Sequence, residues 1–174
     1  VILLLNGAFG IGKTTVARLL VARLERAVLF DPEPIGVMLQ RVTRVGDFQD
    51  LRLWRRLTVV GLRVTRLLYR NVIVPMAFSN LDYLREIRTA ASRIDPLVHH
   101  FCLVAPVDEV HARLRNRGED PGRAAWQYRR AAECCVVHGG AEFAMHIDAA
   151  ARTPAEIADQ LSIILSRVDG EGPP

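Results

Sequence analysis

Short, almost uniformly apolar runs alternate along this chain with longer segments in which apolar residues return every three or four positions. Val1-Ile2-Leu3-Leu4-Leu5 is the first run. It lacks the polar alternate positions of a half-exposed strand and reads as a strand covered on both faces. Val16, Leu19, Leu20, Ala22 and Leu24 then recur at helical spacing, with Arg18, Arg23, Glu25 and Arg26 mostly between them. Ala27-Val28-Leu29-Phe30 is a second buried strand that runs into Asp31-Pro32-Glu33-Pro34. Residues 35–45 read as a short helix broken at Gly46-Asp47, and Leu51 to Arg70 as a long one. Its apolar stripe of Leu53, Trp54, Leu57, Val60, Val64, Leu67 and Leu68 is expected to face the core. Val72-Ile73-Val74 is a third strand stopped by Pro75, residues 80–93 are an amphipathic helix, and Val98 to Val104 is a fourth strand. Pro106 opens a helix carrying Arg113, Arg115 and Arg117; a polar break at Gly118 to Gly122 separates it from a helix over Arg123 to Val137. Phe143 to Asp148 is a fifth strand, on which His146 is expected to be half-buried and structural. Thr153-Pro154-Ala155-Glu156 is a capping box with proline at the first helical position, so a last helix starts there and frays from Gly170 to Pro174.

Strands alternating with helices predict an α/β domain, a parallel sheet with helices on both faces. With 174 residues, half of them apolar, one domain with a full core is expected, and no internal repeat or long linker divides it. The net charge of +4 comes from arginines spread over several helices. No basic run or aromatic-interleaved basic stretch appears, which argues against a nucleic-acid binder. Cys102, Cys134 and Cys135 lack metal-ligand spacing and read as reduced thiols of a cytoplasmic protein. No apolar stretch approaches the ~20 residues of a membrane span. The chain begins on its first strand without an initiating Met, so a few preceding residues are expected; no signal peptide is visible.

Composition changes the picture at one place. The chain has 23 Lys and Arg side chains, and Lys13 is the only lysine among them. It lies in Gly7-Ala8-Phe9-Gly10-Ile11-Gly12-Lys13-Thr14, a GxxxxGK[ST] phosphate-binding loop between a strand and a helix. An ammonium is a compact point charge that can bend back over such a loop towards β- and γ-phosphates, which a planar guanidinium does poorly. The glycines let backbone N–H groups face the anion, and the next helix adds its N-terminal dipole. Thr14 supplies a hydroxyl for Mg²⁺.

Phosphoryl transfer also needs charge neutralisation and a group that orients or deprotonates the acceptor. Asp31 and Glu33 follow the second strand, which in a doubly wound sheet ends beside the first-strand loop. They can divide the work, Glu33 as base and Asp31 near the metal. Arg113, Arg115, Arg117 and Arg123 suit a lid over about residues 113–130 that closes on the transferring phosphate, with Arg113 and Arg117 on one helix face. A Walker B strand ending in aspartate is missing after the third strand, where Val74 is followed by Pro75 and Met76. The apolar run that does end in an acid is Ala27 to Asp31. This argues against motor ATPases and signalling GTPases and for small metabolite kinases.

Asn6 to Thr14, Asp31-Pro32-Glu33-Pro34-Ile35-Gly36, Ile73-Val74-Pro75, His99 to Pro106 and His146-Ile147-Asp148 resemble, in order and spacing, the tunicamycin-resistance ATP-binding proteins. Val136 to Phe143 and on to Asp148 is similar to the carboxyl-terminal part of chloramphenicol phosphotransferases, and the Arg113/Arg117-Gly118 spacing resembles their lid. The resemblance implies a nucleotide-kinase-like fold with strand order 2-3-1-4-5, ATP and Mg²⁺ as cofactors, and γ-phosphate transfer to a hydroxyl. By position Glu33 matches the base of those enzymes, which is an aspartate there. Ala144 stands where they carry an acid, which argues against chloramphenicol itself.

The residues nominated as catalytic are thus Lys13, Glu33, Asp31 and Arg117. Those nominated for the nucleotide are Gly7, Ala8, Phe9, Gly10, Ile11, Gly12, Lys13, Thr14, Thr15 and Arg113, with Thr14 also on the metal. The expected partner is a small hydroxylated acceptor, in a pocket built from residues 35–60 and 76–90, in a monomer or homodimer. Three functions fit this pattern: a small-molecule, antibiotic-directed kinase; an ATP-binding protein that sequesters a drug such as tunicamycin; and an ordinary nucleotide or sugar-acid kinase.

Overall fold

The computed structural model describes residues 1–143 and 145–170. Ala144 and residues 171–174 of the tail expected to fray lie outside the described residues. Five strands, β1 (Ile2–Gly7), β2 (Ala27–Leu29), β3 (Asn71–Met76), β4 (Val98–Val104) and β5 (Met145–Asp148), form one sheet in the order β2-β3-β1-β4-β5. All four pairings are parallel, with Leu4 of β1 opposite Val74 on one side and His100 on the other. The helices are α1 (Lys13–Arg23), α2 (Glu33–Thr43), α3 (Arg52–Leu68), α4 (Leu81–Ser92), α5 (Val107–Asn116), α6 (Ala125–His138) and α7 (Pro154–Gly170). This is the expected α/β sheet in the expected order.

Alternation along the buried β1 divides the core. Leu3 and Leu5 pack with Val16 and Leu20 of α1, Leu114 of α5 and Leu161 of α7. Ile2 and Leu4 pack on the other face with Trp54 and Leu62 of α3 and Leu84 and Ile87 of α4. A strand covered on both sides needs no polar positions, which is why these runs read as uniformly apolar.

Pro75 does not stop β3. Val72 N–H donates to Val1 at 3.0 Å, towards β1, while Asn71 N–H donates the other way, to Arg26 at 3.2 Å. Alternate residues therefore turn Pro75 to the β2 side, and β2 ends at Leu29, opposite Ile73. Beyond that point no ladder bond is asked of the ring nitrogen, so proline is tolerated there. Helix α2 begins two residues before the expected 35, because Pro34 occupies an opening position where the missing N–H costs nothing. The capping box forms as read: Thr153 N–H and hydroxyl both donate to Glu156 Oε2 at 2.7 Å.

Two further expectations are corrected. Trp54, Arg55, Thr58 and Leu62 form the buried face of α3, whereas Leu53, Val60, Val64 and Leu67 of the expected core stripe are exposed. The true inner face was hidden because it carries a threonine and Gly61. A Cβ at Gly61 would stand 2.7 Å from the Phe30 ring, so the glycine sets how closely α3 approaches β2. His146 is exposed, because β5 is an edge strand whose one buried residue is Ile147.

Candidate active site

The phosphate-binding loop joins β1 to α1. Gly10 and Gly12 have φ of +84° and +109°, a left-handed backbone that side chains rarely adopt. At Gly10 space also forbids a side chain, since a Cβ would lie 2.7 Å from Leu114 Cγ. Gly12 caps α1 with no side-chain hydrogen bond, and the first turn holds no acid. The opening N–H groups and the positive end of the dipole are thus left for an anion.

Lys13 is buried and bends back over its own loop, Nζ donating to Ala8 C=O at 2.9 Å and standing 5.5 Å from the centre of the Phe9 ring. Burial lowers its proton affinity, and the nearby Glu33 carboxylate counters that shift. Glu33 opens α2, is itself pushed above the ordinary carboxylate range by burial, and is drawn back by Lys13. A cleft of about 130 Å³ is lined by Phe9, Gly10, Gly12, Lys13, Thr14, Glu33 and Arg117. Four chemistries therefore share one wall: an ammonium, a hydroxyl, a carboxylate and a guanidinium. β3 lies between β2 and β1, so Glu33 reaches this cleft through the turn after β2 rather than by strand adjacency.

Not every nominated residue lies in that cleft. Asp31 Oδ1 accepts from Glu33 N–H at 3.0 Å, shaping the turn, and Asp31 does not line the cleft. Arg113 is pinned by backbone carbonyls, donating to Ile11 at 2.8 Å and Ala149 at 2.6 Å, and pairs with Glu109 at 2.5 Å. It joins the phosphate loop to the segment after β5. Thr15 and Arg113 line a neighbouring cavity of about 380 Å³ with Arg117, Arg152, Thr153 and Pro154. The last three had not been nominated, although their place in the loop at the carboxyl end of β5 marks them in this architecture. Arg123 N–H donates to Asp120 Oδ1 at 3.0 Å in the turn between α5 and α6.

A second cavity, of about 500 Å³, opens beside the cleft between the 46–50 segment, the start of α4 and α6. Asp47, Gln49, Ser79, Asn80 and Tyr83 come from the two ranges expected to build an acceptor pocket. Trp126, Arg129 and Arg130 come from α6 and were missed. Their spacing, three and four apart on one helix, was the available signal. Trp126 packs edge-on against Phe9 of the phosphate loop with ring centres 5.4 Å apart, so cleft and cavity share a wall. A larger cavity, about 630 Å³, between α3 and α4 is lined by Arg56, Val60, Glu86 and Arg93 and holds no phosphate-loop residue.

Beneath the site, Asn6 accepts from Phe78 N–H at 2.9 Å and donates to Phe78 C=O at 3.1 Å, and His138 Nε2 lies 2.7 Å from the same carbonyl. These bonds fix the chain that leads into Ser79 and Asn80. Burial pushes the Cys102 and Cys134 thiols up to about 12 and about 11, so both remain protonated. Among the described residues no group of three or more His, Cys, Asp or Glu could hold a metal ion, and no helix is long and apolar enough to cross a membrane.

Fold and site together define a kinase-like P-loop domain, a parallel sheet with a phosphate loop at the end of its central strand. The chain belongs to the family described as AAA domain, whose model matches residues 2–133. The tunicamycin resistance protein of Deinococcus radiodurans is 28% identical, with 95% of each chain covered and a TM-score of 0.73. A gluconokinase from Sinorhizobium meliloti 1021 shares the fold at 16% identity and a TM-score of 0.67, covering 95% of this chain and 91% of that one. A shikimate kinase from Acinetobacter baumannii does so at 19% and 0.59, covering 95% and 93%. No curated protein matches the sequence.

Proposed function

We propose that the protein transfers the γ-phosphate of ATP to a hydroxyl of a small, antibiotic-like molecule in the cytoplasm, conferring resistance. The observation that carries this reading is the placement of Glu33 in the same cleft as Lys13, Thr14 and Arg117. The acceptor oxygen forms a bond to the γ-phosphorus as the bond to the bridging oxygen of ADP breaks, and Glu33 takes the hydroxyl proton. Lys13 and the loop N–H groups hold the β- and γ-phosphate oxygens, and Arg117 meets the charge that spreads over the transferring group. Thr14, with its hydroxyl on the cleft wall, fits a Mg²⁺ ligand. When bound, the ion would supply further neutralisation of the phosphate oxygens. In this reading Arg117, Arg152 and Thr153 receive the nucleoside and the cavity beside Trp126 receives the acceptor, since each group lines a cavity next to the cleft.

A second reading, drug sequestration without transfer, draws support from the likeness to the Deinococcus radiodurans tunicamycin resistance protein. Mass spectrometry separates the two. The protein is incubated with ATP, Mg²⁺ and a pool containing tunicamycin, chloramphenicol, other hydroxylated antibiotics, nucleoside monophosphates and sugar acids. One member gaining a single phosphate, in wild type and not in Glu33→Gln, is the expected result. ATP binding together with tight drug binding and no phosphorylated product refutes the kinase reading in favour of sequestration.

A further inference from the structure

The cavity beside the phosphate cleft contains two arginines and two acids, and the way they pair decides which charge it accepts. Arg130 is 15% exposed and engaged at both terminal nitrogens: Nη2 lies 3.1 Å from Asp47 Oδ2, while Nη1 donates to Ser79 Oγ at 2.9 Å and to Glu133 at 3.0 Å; its buried Nε has no partner among the described residues. Asp47 is 19% exposed, and its other oxygen accepts from Gln49 N–H at 2.9 Å, which locks the carboxylate in place. Arg129 is exposed and stands 4.0 Å from the same Glu133. Asp50 accepts from the Tyr83 hydroxyl at 3.1 Å and pairs with no cation among the described residues. Arg55, stacked 4.1 Å from the centre of the Tyr83 ring, is committed elsewhere, donating to Glu86 at 2.7 Å and to the Gln49 carbonyl at 2.6 Å.

We infer that the acceptor carries no negative charge, and that Asp47 enforces this by occupying the guanidinium that would otherwise receive an anion. The inference rests on the kinase reading above for naming this cavity the acceptor site. A carboxylate or phosphate entering it can meet the solvent-exposed Arg129, but there it also faces Asp47 and Asp50, and to reach Arg130 it must displace Asp47, leaving a half-buried carboxylate without its partner. A polyol or glycoside meets no such conflict. Its hydroxyls find acceptors in Asp50 and Ser79 and a donor in the Asn80 amide, and the face of a sugar ring finds Trp126. The substrate class is thus an uncharged polyhydroxyl compound rather than a sugar acid or a nucleoside monophosphate.

Asp47→Asn is the discriminating variant, because the amide keeps an oxygen for Gln49 N–H and removes only the charge that pairs Arg130. Wild type and variant are saturated with Mg²⁺ and a non-hydrolysable ATP analogue, which blocks the phosphate loop. Inorganic sulfate is then titrated calorimetrically at constant ionic strength, with nucleotide affinity as the check on folding. Sulfate should bind Asp47→Asn at least tenfold more tightly than wild type, and adding Arg130→Gln should abolish the gain. Sulfate binding equal in wild type and in a folded Asp47→Asn protein overturns the inference. If that variant does not fold, wild type is titrated with gluconate and with glucitol, and a tenfold preference for gluconate overturns it. Neither readout requires turnover, so a failure of phosphoryl transfer is told apart from a failure of charge exclusion.

Discussion

The indole N–H of Trp54 donates to the carbonyl of Pro32 at 2.9 Å, across 22 positions of sequence. The bond ties α3 to the Asp31-Pro32-Glu33 turn and so holds the proposed base against the phosphate loop. Trp54 is 2% exposed and packs edge-on against Phe48, which in turn lies against Gly36 of α2 with no room for a Cβ. Trp54→Phe keeps most of the ring contact and leaves the carbonyl unpaired, at a cost of about 1–2 kcal/mol in stability. In acceptor-dependent ADP release, kcat should fall severalfold, while ATP affinity measured by calorimetry stays at the wild-type value. A drop in ATP affinity matching the drop in kcat would show that Trp54 supports the fold at large and not the Glu33 turn.

As the proposed base, Glu33 should set the acid limb of the proposed activity. Burial raises its carboxyl pKa and Lys13 only partly offsets the rise, so the group takes up its proton at a higher pH than an ordinary glutamate. A base must be ionised to work, and rate is therefore lost as pH falls through that raised pKa. The kcat/KM profile should show an acid limb above the ordinary glutamate range. Removing the charge of Lys13 with Lys13→Met should move the limb further upward in whatever residual activity survives. A limb at the ordinary carboxylate value would place the titrating base elsewhere.

Most of this arrangement was legible in the sequence, and the parts that were not have physical reasons. β1 and β4 announce themselves because both faces of a central parallel strand are apolar, and Gly10-Ile11-Gly12-Lys13 because backbone geometry and one ammonium leave little choice of residues. The inner face of α3 was unreadable from periodicity. Arg55 is buried there by partners 31 and 6 positions away, Glu86 and Gln49, and Thr58 sits where a leucine would have been expected. Asp31 was read as lying near the metal and Glu33 as the base, and only the turn geometry assigns Asp31 to a backbone N–H and leaves Glu33 in the cleft. Trp126 and Arg130 needed the docking of α6 over the 46–50 segment, a contact between residues more than 70 positions apart.

Lys13→Arg conserves charge and should still remove function. The ammonium is buried, curls back to the Ala8 carbonyl at 2.9 Å and fits beneath the Phe9 ring. A guanidinium is wider and planar and cannot make that return without moving the loop. Thermal unfolding should change little, because the substituted side chain lines the cleft and belongs to neither apolar core cluster, while ATP affinity or kcat falls by at least tenfold. Full activity in Lys13→Arg would mean that the loop does not grip a nucleoside triphosphate.

Two buried histidines make the fold acid-sensitive. Burial pushes His100 down to about 4, with Arg88, His138 and His146 adding to the effect, and also lowers His138 to about 4 despite its bond to Phe78. Neither ring nitrogen of His100 has a hydrogen-bond partner among the described residues. An unfolded histidine takes up its proton near pH 6.5, so between that value and about 4 the unfolded chain binds protons the folded one refuses. Stability is therefore full above pH 6.5 and falls as the pH drops, by an amount on the order of 3 kcal/mol for each histidine by pH 4. His100→Met should flatten this dependence. Between pH 7.5 and 4.5 the loss of stability in urea unfolding should shrink by roughly 2 kcal/mol relative to wild type, with little change in the value at pH 7.5. An unchanged slope in His100→Met would locate the acid sensitivity in other groups, and His138→Gln then tests the remaining histidine of the pair.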